Sequence, residues 1–162
     1  MRYPEMIVVR QQFDATKVED VHRAVMNELD RIGVAARVRP GQRVAITGGS
    51  RGIANIATAT RAACDWVKAR GARPFIFPAM GSHGGATAEG QVAVLAHYGI
   101  SEESMGVPIL STMEVEEIGR TEDDLPIFLD KHALSADHII VVNRVEPHTK
   151  FEGEIESGLM KM

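Results

Sequence analysis

The feature that most constrains this chain is a unit that occurs twice: a short apolar run, a glycine-rich loop and an amphipathic helical pattern. Arg43-Val44-Ala45-Ile46-Thr47 runs into Gly48-Gly49-Ser50-Arg51-Gly52 and then into a helical pattern reaching about Arg70. Residues 74–78 run into Ala79-Met80-Gly81-Ser82-His83-Gly84-Gly85 and a helical pattern over 87–98. A crossover helix returns the chain to the end of the sheet where the previous strand began, so the strands lie parallel and the connections are right-handed. His138-Ile139-Ile140-Val141-Val142-Asn143 is a continuous apolar run of the kind a buried parallel strand needs, and it too ends in a polar loop, 144–153. The fold class this implies is α/β: a doubly wound, mostly parallel, Rossmann-like sheet with flanking helices.

The rest of the chain reads less sharply. Residues 6–12 form a β-like run, and 17–32 place Val18, Val21, Val25, Leu29 and Ile32 at helical spacing, ended by Gly33. Residues 107–112 and 114–118 read as short strands, and 125–134 is mixed. Residues 154–162 read as the opening of a helix with no cap and no closing strand, so the chain looks cut rather than finished, and with no linker within it 1–162 is expected to be a single α/β domain. The 162 residues, 44% hydrophobic and 25% charged, suffice for a folded core. A net charge of −4 gives no broad basic field, which removes nucleic acid and anionic lipid as bulk electrostatic partners. With no signal layout and no membrane-length apolar run, the expected location is the cytoplasm. The single cysteine, Cys64, rules out an internal disulfide or a cysteine-rich zinc site and reads as a small buried apolar residue. Met80, Met105, Met113 and Met160 read as core or turn filling.

In open parallel sheets ligands sit beyond the carboxyl ends of the strands, so the loops after Thr47, Pro78 and Asn143 should converge. The first offers the backbone of Gly48 and Gly49, the Ser50 hydroxyl as helix N-cap or ligand donor, and the Arg51 guanidinium, which can grip a carboxylate with two hydrogen bonds. A tight turn with a surface arginine is the equal alternative. The second sets His83 among glycines that let a ligand come close, and histidine titrates near neutrality, as a general acid or base must. Ser82 or Thr87 is positioned to cap the helix that follows. The third places His148 as a second acid/base candidate, with Glu146 or Asn143 to orient its ring, although Arg144 and Glu146 also fit a simple surface ion pair. Taken on their own, Glu154, Glu156 and Lys161 read as a solvated helix face. His22, His97, His132 and His138 show no metal-ligand spacing and read as structural, so no metal site is expected within this chain.

Gly48-Gly49-Ser50-Arg51-Gly52-Ile53, Ala79-Met80-Gly81-Ser82-His83, Glu146-Pro147-His148 and Glu156-Ser157-Gly158-Leu159-Met160-Lys161, in that order, resemble the nickel-dependent lactate racemase family over nearly the whole chain. The resemblance implies that Arg51 binds the substrate carboxylate and that His83 and His148 are the two acid/base groups. It further implies that Lys161, or else Lys150, tethers a nickel-pincer nucleotide. That cofactor would need maturation proteins, and a C-terminal domain would close over the site and complete the nickel coordination. The lactate racemases proper carry Asp-Asp-x-Thr-Arg-Pro at the first loop and His-Arg-Pro at the second, unlike this chain. The implied activity is therefore racemisation or epimerisation of a 2-hydroxy acid, lactate-like or a sugar acid. Two other classes use the same residues: a non-catalytic carboxylate- or phosphate-binding domain, and a cofactor-free epimerase or dehydratase. Apolar surface left by a missing partner domain would favour a homo-oligomer.

Overall fold

Arg43–Gly48 (β1) and Arg73–Pro78 (β2) pair in parallel, Arg43 opposite Arg73 through Gly48 opposite Pro78. The computed structural model describes residues 6–13, 16–145, 152, 153 and 157. His138–Ile140 (β5) pairs in parallel with the other side of β1, giving the order β2-β1-β5. A parallel bridge between Ile76 and Ile109 extends the sheet by one position beyond β2. The expected parallel α/β sheet flanked by helices is what forms.

Between β1 and β2 runs Ile56–Lys68 (α2), and after β2 come Ala88–His97 (α3) and a short Glu102–Met105 (α4). Val21–Arg31 (α1) precedes β1 and starts at an N-cap, Asp20, whose carboxylate accepts from the Arg23 amide at 2.9 Å. Capping there leaves Val18 outside the helix and exposed, which shortens the expected 17–32 span. The alternation of β1 and β2 decides the layers. Ile46 and Ile76 point to one face and pack with Cys64 of α2, Leu95 of α3 and Met105 of α4. Val44 packs with Trp66 and Val67 of α2, and Met26 and Leu29 of α1 close over that cluster. Ala45, Phe75 and Phe77 point to the other face. That face is covered by Ala133 of Lys131–Leu134 (α5) and by Leu129 of Pro126–Asp130 (β4), the second strand of an antiparallel hairpin with Val115–Arg120 (β3).

Three strand expectations change. Residues 6–12 form no strand: Met6, Ile7, Val8 and Val9 are 80–98% exposed, and β-forming side chains make a strand only where a ladder partner lies alongside. The 107–112 run reduces to the single bridge at Ile109, because Pro108 can only accept, from the Ile76 amide, and has no N–H to continue the ladder. The 138–143 run pairs only through Ile140. Beyond it the buried Thr47 hydroxyl replaces the ladder, accepting from the Val142 amide at 2.9 Å and donating to the Val142 carbonyl at 3.2 Å. Cys64 is fully buried as expected, and burial pushes its thiol up to about 11, so it is inert at neutral pH.

Candidate active site

From β1 the chain crosses on one face through α2 to β2 and on to Ile109. From there it returns along the opposite face, through the hairpin and α5, to β5 on the far side of β1. The strand order thus reverses between β1 and β5, and at such a switch point the loops leave in opposite directions and open a crevice. A cleft of about 720 Å³ lies there. It is lined by Ser50 and Arg51 from the first loop, Gly81 and His83 from the second, and Asn143 and Arg144 from the third. The sequence expectation that the three loops converge holds for their described residues.

Ser50 and His83 meet directly: the serine Oγ lies 2.5 Å from the imidazole Nδ1. Ser50 is not a helix N-cap as one sequence expectation had it. The helix after the first loop begins at Ile56, with Asn55 at the N-cap in a left-handed conformation, so residues 49–55 form an independent loop. Gly48 is buried and does not line the cleft. A Cβ there would meet Leu95 Cδ2 at 2.7 Å, so its missing side chain is accounted for by the close approach of α3. Gly49 does line the cleft and has open space around it. Arg51 is exposed at the rim.

The His83 loop is held by α3. Its cap is Thr87, the alternative that prevails over Ser82, accepting from the Gly90 amide at 3.0 Å. Gln91, 3% exposed, donates from Nε2 to the Gly81 carbonyl at 2.8 Å. Tyr98, at the end of the same helix, donates its hydroxyl to the Ser50 carbonyl at 2.9 Å, and the Ala79 amide donates to the Gly48 carbonyl at 2.9 Å. Gln91, Tyr98 and Thr47 are site-building residues that sequence reading missed. Nothing in a helical or strand pattern marks a polar side chain as turned toward a neighbouring loop.

The far wall of the cleft is apolar and comes from the hairpin region: Met113, Val115 and Phe128 line it, each about half exposed. Met113 is therefore cleft lining rather than core, whereas Met80 and Met105 are buried as expected. Asp130 also lines the cleft while capping α5, its carboxylate accepting from the His132 and Ala133 amides at 2.8 and 2.9 Å. Among the described residues no cluster of three or more His, Cys, Asp or Glu could hold a metal ion. His148, Lys150, Lys161, Met160, Glu146 and the predicted helix at 154–162 lie outside the described residues, apart from Ser157. Of the histidines read as structural, His22 pairs with Asp65 at 3.1 Å and His138 bonds Gln42 at 3.2 Å. No helix of the described residues is long and apolar enough to cross a membrane.

No curated protein and no solved structure matches the chain. The lactate racemase N-terminal domain family matches residues 5–153, a span that contains β1, β2 and β5 and all three loops of the cleft. The chain belongs to the lactate racemase N-terminal domain family.

Proposed function

We propose that this chain is the N-terminal part of a racemase or epimerase for a 2-hydroxy acid, lactate-like or a sugar acid. The observation that carries the reading is His83, fixed by Ser50 at Nδ1 and lining a cleft at the switch point of the sheet. A general acid or base must be held in a fixed orientation facing its substrate, and the Ser50 contact beside the cleft supports that role for His83. In the proposed reaction His83 takes the proton from the C2 hydroxyl of one enantiomer and His148 takes it from the other, one histidine on each side of the substrate plane. Arg51 holds the carboxylate, so that the keto acid formed midway stays in place until C2 is rebuilt from its other face. Gly49 leaves room for close approach of the cofactor.

The cofactor this reading requires is a nickel-pincer nucleotide, which when bound supplies the acceptor for the C2 hydride. What supports the reading among the described residues is a cleft of about 720 Å³, large enough for a nucleotide, with open space at Gly49. Lys161 would be the covalent tether, with Lys150 the other candidate. The partners that follow are the hydroxy acid, the protein's own C-terminal domain, the cofactor-maturation proteins and further copies of this chain. Nucleic acid and membrane have no part in it, and the cytoplasm is the proposed location.

Intact-mass spectrometry with nickel analysis tests the reading, on the full-length protein produced together with the pincer cofactor-synthesis enzymes. A nucleotide-sized adduct mapping to Lys161, with bound nickel, is the expected result. An unmodified chain without nickel that nevertheless binds lactate or phosphate would transfer the site to the anion-binding reading. An unmodified chain that still inverts hydroxy acids would transfer it to cofactor-free epimerisation.

A further inference from the structure

The contact between Ser50 and His83 has both of its ends anchored. The serine backbone is held by Tyr98 and the turn before His83 by Gln91, both from α3, at 2.9 and 2.8 Å. The contact engages Nδ1 of His83, which makes Nε2 the other ring nitrogen of a histidine that lines the cleft. A neutral imidazole carries one N–H, and the hydrogen bond made by one nitrogen selects which of the two bears it. A base acting at Nε2 needs its lone pair there, and therefore its hydrogen on Nδ1. Once Nε2 has been protonated, both nitrogens bear hydrogen. A hydroxyl oxygen at Nδ1 can accept throughout that cycle.

Resting on the acid/base reading of His83, we infer that Ser50 is a positioning residue whose Oγ accepts the Nδ1–H of His83 in both protonation states, leaving Nε2 alone to take and return the substrate proton. In the forward step the substrate O–H bond breaks and an Nε2–H bond forms. The oxygen electron pair would become the second bond of the keto group if a bound cofactor supplied the acceptor for the C2 hydride, and the return of proton and hydride would restore the hydroxy acid. Ser50 bonds neither the proton in transit nor the substrate. This differs from the substrate-binding role its sequence position suggests.

The test is a long-range proton–nitrogen NMR correlation on the full chain labelled with ¹⁵N-histidine, at a pH where the rings are neutral, with the His83 signals identified by their absence in His83→Asn. The expected wild-type pattern is hydrogen on Nδ1 and a lone pair on Nε2. Ser50→Ala should move the ring toward hydrogen on Nε2, and Ser50→Thr, which keeps the hydroxyl, should restore the wild-type pattern. Hydrogen on Nε2 in the wild type, or no change in Ser50→Ala, would overturn the inference. In the cofactor-loaded full-length enzyme Ser50→Ala should lower kcat by about 10- to 100-fold with KM unchanged, as loss of a group that orients a reacting histidine does. A raised KM with unchanged kcat would instead make Ser50 a substrate ligand. Failure of the functional reading shows itself separately, as a wild-type enzyme that inverts no hydroxy acid whatever the tautomer of His83.

Discussion

The role proposed for His83 rests on one ring and the backbone beneath it. Replacing it with asparagine should lower turnover by roughly two to four orders of magnitude while leaving the fold intact, which racemisation assays and circular dichroism would check together. Gly81, Gly84 and Gly85 around it adopt positive φ, which side chains rarely take, whereas Gly90 is needed for close approach. A Cβ on Gly90 would lie 1.8 Å from the Gly84 carbonyl oxygen, a backbone atom that cannot swing aside. Gly90→Ala should therefore displace the His83 loop and destabilise the domain by about 1–3 kcal/mol, seen as a lowered Tm. Elsewhere, Asp65 is partly desolvated, which raises its pKa, but hydrogen bonds from His22 and Arg61 and the charges of Arg61 and Lys68 outweigh this and hold it below the ordinary carboxylate value. The unfolded chain then takes up the proton first as pH falls, so this contribution is present above about pH 4 and is lost as pH falls through the lower folded value. Asp65→Asn should be less stable by about 0.5–1 kcal/mol at pH 7 and lose less on acidification, measured by denaturation at each pH. That Ser50, Arg51 and His83 would line one cleft was legible because polar groups among glycines at strand ends face the side where the sheet opens. That Ser50 would meet His83 was not legible, because this depends on where the next helix starts, and Asn55 rather than Ser50 starts it.

Among elements, the parallel strands were legible where apolar side chains are needed on both faces, as in β1 and β2, and lost where backbone partners decide. Apolar pattern reports burial, whereas a ladder needs free N–H groups and a neighbour, which 6–12 and Pro108 lack. The site depends on such a substitution of partners, since the Thr47 hydroxyl holds the segment that leads into the third loop. Thr47→Val keeps the volume but leaves the Val142 amide and carbonyl without that partner, which should cost about 1–3 kcal/mol. Native-state hydrogen exchange should show the Val142 amide exchanging faster while the amides of β1 and β2 keep their protection. Equal loss of protection across the whole sheet would mean that Thr47 acts on global stability rather than on this loop.

For the whole molecule, the architecture explains why three loops distant in sequence share one cleft. The chain builds outward from β1 on one side and returns to its other side, so the loops after β1 and β5 diverge from a common edge while α3 ties the loop after β2 to the first. Family membership was legible from short motifs at those loops, taken together and in order. The central claim is that inversion proceeds by removal and return of the C2 hydride, with histidine moving only the hydroxyl proton. The most direct measurement is to give the cofactor-loaded full-length enzyme a single-enantiomer 2-hydroxy acid carrying deuterium at C2, in ordinary water, and to analyse the inverted product. Deuterium retained at C2 is the predicted result, because the same hydrogen returns to the carbon it left. Inverted product carrying solvent hydrogen at C2 would contradict the account and assign the chemistry to proton abstraction at carbon.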